Sequence, residues 1–280
     1  VARAAPVGPL VQGLHQFPSI GQAEIHGRDG IAYIDKVDGG AQKRAFTHID
    51  DGIAALMKII ANKDAIAAGI QVILMNAGGA DKAKELGAIN YVGSDEYVAG
   101  QAGGTYFGSH GQKNVLCINT LPGTANIEAR CKGVADAMTA KGVKSTELPL
   151  PSTSFGDATA VAEAIKAEMI KDDTIDGIIT ISAGDADSAA VAIEQAGKTG
   201  KASLGTFDMN QAGLDRIKAG TQAFAIDQQP YLQSYLVVSL LASAIDFGTD
   251  LPTFPVLTGP GIVDASNIDA TLAGVSKGAR

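Results

Sequence analysis

From Ile70 onward, short runs of β-branched and other apolar residues alternate with alanine-rich stretches whose apolar positions recur at helical spacing. The runs Val72–Met75, Asn90–Val92, Asn114–Asn119, Ser145–Leu148, Gly177–Ile181, Ala202–Phe207, Ala223–Ile226 and Pro255–Leu257 read as strands. Helices are expected to begin near Glu96, Ala125, Ala158, Asp187, Gln211 and Tyr231. In the third of these, Ala158, Val161, Ala162 and Ile165 fall on one helical face, which Met169 extends. Strands alternating with helices build βαβ units with right-handed crossovers, and hence a mostly parallel sheet. Before Ile70 the pattern is weaker. Asp51–Leu56 and Gly30–Ile34 read as strands, and Leu10-Val11 begins another. Gly21–His26 makes only a short helix and Gly39-Gly40 interrupts the next, yet the same βαβ logic is expected.

Composition narrows this picture. The chain has 280 residues, 46% hydrophobic, enough to bury one large core or two smaller ones. Its formal net charge of -8 and the lack of any Lys/Arg cluster argue against a nucleic-acid partner. The most apolar stretch, Tyr231–Ile245, falls short of the ~20 residues of a membrane span and reads as a buried helix. No basic segment leading into an apolar one opens the chain, so no signal peptide is expected; Val1–Ala5 suits a processed or an engineered start. Cys117 and Cys131 lie in one strand-loop-helix unit. In an exported protein they are expected to form a disulfide; otherwise they are two buried thiols. Their spacing suits neither a redox CxxC nor a zinc site.

Catalytic signatures are missing. Gly39-Gly40 and Gly100, Gly103 and Gly104 precede no Lys-Ser/Thr pair of a phosphate loop. No strand leads into a G-x-G-x-x-G fingerprint, there is no G-x-S-x-G elbow, and His15, His26, His48 and His110 have no metal-ligand pairing. No cofactor, metal or catalytic residue is expected. Open α/β sheets bind ligands outside the carboxyl ends of their strands. Asn76, Asp95, Ser182, Asp208 and Gln228 follow successive strands, and Arg130 lies on the helix after the Asn114–Asn119 strand. Taken singly, such residues more often cap helices or make turns. Together they offer the acceptors and forked donor that hold a ring of hydroxyls, with Phe17, Phe207 and Tyr231 as candidate apolar walls.

Several segments carry a likeness. Ala68–Asn76, Gly93–Gly100, Arg130–Gly133, Gly205–Asp208 and Asp227–Tyr231 resemble, in order and spacing, periplasmic sugar-binding proteins of the ribose-binding type, the solute receptors of pentose- and polyol-type ABC transporters. The resemblance covers Ile70 to the C-terminus. It implies a type I periplasmic binding fold: α/β, with two Rossmann-like lobes of parallel sheet joined by a three-segment hinge near Asp95, Gln228 and Thr258. The lobes would be residues 1–95 with 229–257, and 96–228 with 258–280. It further implies a sugar or polyol bound between them by Phe17, Asn76, Asp95, Arg130, Ser182, Asp208 and Gln228, delivery to the membrane permease of an ABC importer, a monomer, and a periplasmic or extracellular location. Arg130 and Asp208 are expected to bind the same solute, and losing either should change affinity far more than stability. Asn76-Ala77 stands where the family has Asp-Arg, which removes a charged contact and points away from ribose itself. Two other classes stay open: a small-molecule enzyme on a doubly wound sheet, and the effector-binding core of a repressor, for which no basic helix-turn-helix is encoded.

Overall fold

A computed structural model describes residues 24–28, 31–36, 66 and 70–280. The chain divides into two compact units, Val1–Val92 with Ser234–Val256, and Gly93–Gln233 with Leu257–Arg280.

In the first unit, β1 (Glu24–Arg28) and β2 (Ile31–Lys36) pair antiparallel, Arg28 opposite Ile31. This corrects the short helix expected over Gly21–His26. Asp29-Gly30, the two residues between the strands, is a hairpin signal that outweighs a weak helical pattern. The strands expected at Leu10-Val11 and Asp51–Leu56, and the candidate ligand residue Phe17, lie outside the described residues. A second sheet of this unit has the order β10 (Val256–Leu257), β4 (Asn90–Gly93), β3 (Ile73–Asn76). Alternation divides its faces. Leu74 and Tyr91 pack with Ala83 of α1 (Gly79–Leu86), while Ile73 and Val92 pack with Leu241 of α7 (Pro230–Phe247).

The second unit holds a six-stranded sheet ordered β11, β9, β8, β7, β5, β6. Its strands are β5 (Asn114–Asn119), β6 (Lys144–Pro149), β7 (Gly177–Thr180), β8 (Ser203–Phe207), β9 (Phe224–Asp227) and β11 (Gly261–Asp264). All pairings are parallel except that of β11 with β9. Helices cover both faces, which is why the central strands are apolar at nearly every position. Val115 and Cys117 face α2 (Glu96–Ser109) and α3 (Ala125–Thr139); Leu116 and Ile118 face α4 (Ala158–Lys171) and α5 (Ala183–Gln195). Ala225 and Val263 pack with α6 (Gln211–Ala219) and α8 (Ile268–Ser276). The sequence pattern missed α1, β11 and α8, and placed the start of α5 at Asp187 rather than Ala183.

Cys117 and Cys131 are bridged, with their Cα atoms 5.7 Å apart, so β5 is tied to α3 within the core. The helices α2 and α3 touch backbone to backbone. A Cβ on Gly100 would lie 2.1 Å from the carbonyl oxygen of Arg130, and one on Gly133 2.2 Å from that of Tyr97. No real Cβ tolerates such a contact, so only glycine lets the helices meet here. Alanine at Gly100 would gain about 1 kcal/mol of helix propensity. The opposing carbonyl is backbone and cannot rotate away, so overpacking of ~1–3 kcal/mol is added to whatever the forced helix displacement costs. Gly100→Ala is expected to lower the thermal midpoint by several degrees; a midpoint equal to that of the parent would show that the helices separate at no cost.

Candidate functional site

The carboxyl ends of the parallel strands in the second unit share one edge, because β5, β7, β8 and β9 run in register: Ile118 is opposite Thr180, Thr180 opposite Thr206, and Phe207 opposite Ile226. Arg130, Ser182, Asp208 and Gln228 are held at this edge. Asp95 and Glu96 join them from the amino end of α2.

Arg130 is 5% exposed. Its guanidinium carbon stands 4.4 Å from the centroid of the Phe207 ring, Nε donates to Glu96 Oε2 at 2.6 Å, and Nη1 donates to the carbonyl oxygen of Ile181 at 2.8 Å. Ring, carboxylate and carbonyl together fix the plane of the guanidinium. Its Nη2 makes no hydrogen bond among the described residues. Phe207, expected as a pocket wall, is fully buried in the core, with the Arg130 guanidinium over its ring. Glu96 was not singled out in the sequence. Burial pushes its carboxyl above the ordinary range, Arg130 draws it back, and the nearby Asp208 carboxylate raises it further.

Asp208 follows β8 with φ 65°, and its Oδ1 accepts from Gln228 Nε2 at 2.5 Å. Gln228 is held in turn. Its carbonyl oxygen accepts from Gln233 Nε2 at 2.7 Å and Thr258 Oγ1 at 2.9 Å, while its side-chain Oε1 is buried with no hydrogen-bond partner among the described residues. A buried acceptor left unmade costs about 1–3 kcal/mol. Asn76, Asp208 and Gln229 are the non-glycine residues at positive φ among those described, and each lies at or just past a strand end. Such backbone persists where the surroundings enforce it, and it concentrates at binding sites.

Other candidates already serve the fold. Asp95 Oδ1 accepts from Val98 N at 3.0 Å and caps α2 from an exposed position. Ser182 caps α5: its Oγ accepts from Asp185 N at 3.1 Å and donates to Asp185 Oδ2 at 2.8 Å, which also accepts from Thr120 Oγ1 at 3.0 Å. Burial raises the Asp185 carboxyl. Beside Ser182 lies a cavity of about 320 Å³ lined by Phe155, Asp157, Val161, Asp185 and Ser188 among others. Phe155 was missed in the sequence. It is 47% exposed, and its only signal was an isolated aromatic in a polar loop, Ser154-Phe155-Gly156-Asp157. Asn76 belongs to the first unit, where its carbonyl oxygen accepts from Tyr91 Oη at 2.8 Å.

Hydrogen-bonding groups are thus gathered outside the carboxyl ends of a parallel sheet, the edge at which open α/β sheets bind ligands. The chain belongs to the family described as periplasmic binding protein domain, whose pattern matches residues 54–250. It is 28% identical over 194 residues to the xylose/arabinose-binding protein XylF of Sulfolobus acidocaldarius, covering 66% of this chain but only 46% of that relative's length. A carbohydrate transporter from Acidothermus cellulolyticus 11B, solved with myo-inositol, is similar at 37% identity and TM-score 0.70 over 82% of this chain and 76% of that one. The glucose-galactose binding protein GanP of Geobacillus stearothermophilus shares the fold at 21% identity and TM-score 0.66, covering 79% of this chain and 83% of that one. Type I periplasmic binding architecture, expected from the resemblance, is therefore the fold of this chain.

Proposed function

We propose that this chain is an extracytoplasmic solute-binding protein that captures a sugar or polyol and hands it to the membrane permease of an ABC importer. The observation that carries this reading is the Arg130, Asp208 and Gln228 group. It joins a guanidinium clamped in one plane, with an outer nitrogen still to donate, to a buried amide oxygen still to accept. Neighbouring hydroxyls on one ring are each donor and acceptor, and they satisfy both kinds of group at once. The myo-inositol complex of the 37% identical transporter supports the solute class, and XylF supports sugars more broadly. Asn76, Asp95, Ser182 and Phe17 are kept in the proposed ligand set, and Phe155 is added to it. The lobe limits at residues 95, 228 and 257, a monomeric state, and closure of the lobes on solute belong to the same proposal; scattering profiles that are identical with and without saturating solute would count against closure.

The reading implies capture without conversion. Among the described residues, no group of three or more His, Cys, Asp or Glu is placed to hold a metal, and no helix is long and apolar enough to cross a membrane. A thermal-shift screen over pentoses, hexoses, tetritols and inositols should find a solute that raises the midpoint by roughly 5 °C or more at a hundredfold excess over its Kd. The same solute should be recovered chemically unchanged. Conversion of it would favour the enzyme reading, and no shift with any of these solutes would remove the sugar-receptor reading.

A further inference from the structure

The charges at the binding edge are already matched before any ligand arrives. Arg130 donates to Glu96, and both side chains are nearly buried, at 6% and 10% exposed. Arg216, whose side chain reaches the same end of the sheet from α6, donates through Nη2 to Asp187 Oδ1 at 2.7 Å. Each of these guanidiniums therefore has a carboxylate of its own. Asp157 and Asp185 line the adjoining cavity with further carboxyls, and Asp95 stands at the amino end of α2. Side chains cap the ends of α4 and α5 that face this region, while α3 starts after Thr124 without a side-chain cap. Asp157 accepts from Ala160 N at 3.0 Å and Ser182 accepts from Asp185 N, so the amino ends of α4 and α5 are spent on their own caps. Among the described residues, this edge holds hydrogen-bond donors but no uncompensated positive charge.

We infer that Glu96 sets the charge selectivity of the site: by neutralising Arg130 in advance, it leaves a guanidinium that donates hydrogen bonds to hydroxyls but does not attract a carboxylate, so the site takes neutral polyols and excludes sugar acids. The inference rests on the sugar-receptor reading. An anionic solute at Arg130 would meet Glu96 across the same guanidinium, with Asp208 close enough to perturb Glu96 itself. Like charges in a site that excludes water repel strongly, whereas hydroxyls carry no such penalty. The arginine alone does not decide this, because an unpaired arginine is a good carboxylate receptor through its forked donors. The partner on its Nε makes the difference.

The test uses calorimetry with neutral probes, myo-inositol, D-xylose, D-glucose and D-galactose, and with D-glucuronate and D-galacturonate as acids. The parent should bind at least one neutral probe and should bind neither acid measurably. D-glucuronamide, a neutral analogue nearly the size of glucuronate, should be accepted where glucuronate is refused. In Glu96→Gln, which retains an acceptor for Arg130 Nε but removes the charge, the preference for neutral probe over acid should fall at least tenfold. Glu96→Asp, which retains the charge, should keep it. Acid bound as tightly as neutral sugar by the parent, exclusion of glucuronamide together with glucuronate, or an unchanged preference in folded Glu96→Gln would each overturn the inference while leaving the receptor reading intact. Should Glu96→Gln fail to fold, the amide and acid pair on the parent decides alone. If none of the four neutral probes binds, the best neutral solute of the thermal-shift screen replaces them; a parent that binds none of that screen's solutes removes the receptor reading, and the inference with it.

Discussion

Arg130→Ala is expected to weaken binding of the best solute from the screen by about 30- to 1000-fold, or ~2–4 kcal/mol. The loss has two sources. The donor to the solute disappears, and Asp208 and Gln228 then face a solute that fewer groups hold in register. Stability should fall as well, by ~3–5 kcal/mol, the usual result of removing one partner from a buried ion pair. This departs from the expectation of a purely local binding defect. Arg130 is packed on Phe207 and bonded to Glu96 rather than lying open at a surface, so alanine strands a buried carboxylate. The sign with pH follows. The folded state already holds the Glu96 proton more tightly than the unfolded chain does, because burial raises its pKa. Without Arg130 that rise grows. Stability lost at neutral pH should return partly as pH falls from the raised folded value toward the ordinary carboxylate range. Urea unfolding at pH 7.5 and pH 5 would show this; a variant equally stable at both, with parental affinity, would dissociate Arg130 from the site altogether.

Removing the disulfide should cost nearly as much stability by a different route. A Cys117→Ala, Cys131→Ala double variant frees a loop of sequence separation 14, for which chain entropy alone predicts about 3 kcal/mol. Both sulfurs are buried in the cluster between β5 and α3, so lost packing adds to this. The effect should reach the ligand, because Arg130 precedes Cys131 on the tethered helix. Affinity is expected to drop severalfold even under conditions where the variant is folded. A denaturation midpoint matching the oxidised parent would show that the sheet and α2 hold α3 without the tether.

The central strands were legible because their environment is uniform. β5, β7, β8 and β9 are buried on both faces, so apolar runs stand out against the alanine-rich helices. β11 was not legible. It is four residues long, follows Gly259-Pro260, and only Val263 is fully buried, so it carries neither a run nor a clear alternation. Helix α1 begins directly after Gly78, with a glycine as its own first residue, and so looked like a loop. Ser182, Asp208 and Gln228 were readable as polar residues at strand ends, because the parallel topology of the second unit sends those positions to one edge. The electrostatics of the site were not. Nothing in the spacing of Glu96 and Arg130, 34 residues apart, announces that the glycines between α2 and α3 bring them into contact. Phe155 escaped for a related reason: an aromatic in a polar loop gains meaning only from the cavity beside it.

The glycine contact between α2 and α3 also bears on how this molecule can change over generations. Every missense change at a glycine codon adds at least one carbon, and at Gly100 and Gly133 that carbon has no space to enter. Exposed side chains can be exchanged one at a time without dismantling the frame. The paired glycines allow no such intermediate, since either replacement displaces both helices and takes Arg130 and Glu96 out of alignment together. Change is therefore channelled into exposed positions such as Phe155, while the helix crossing is inherited whole.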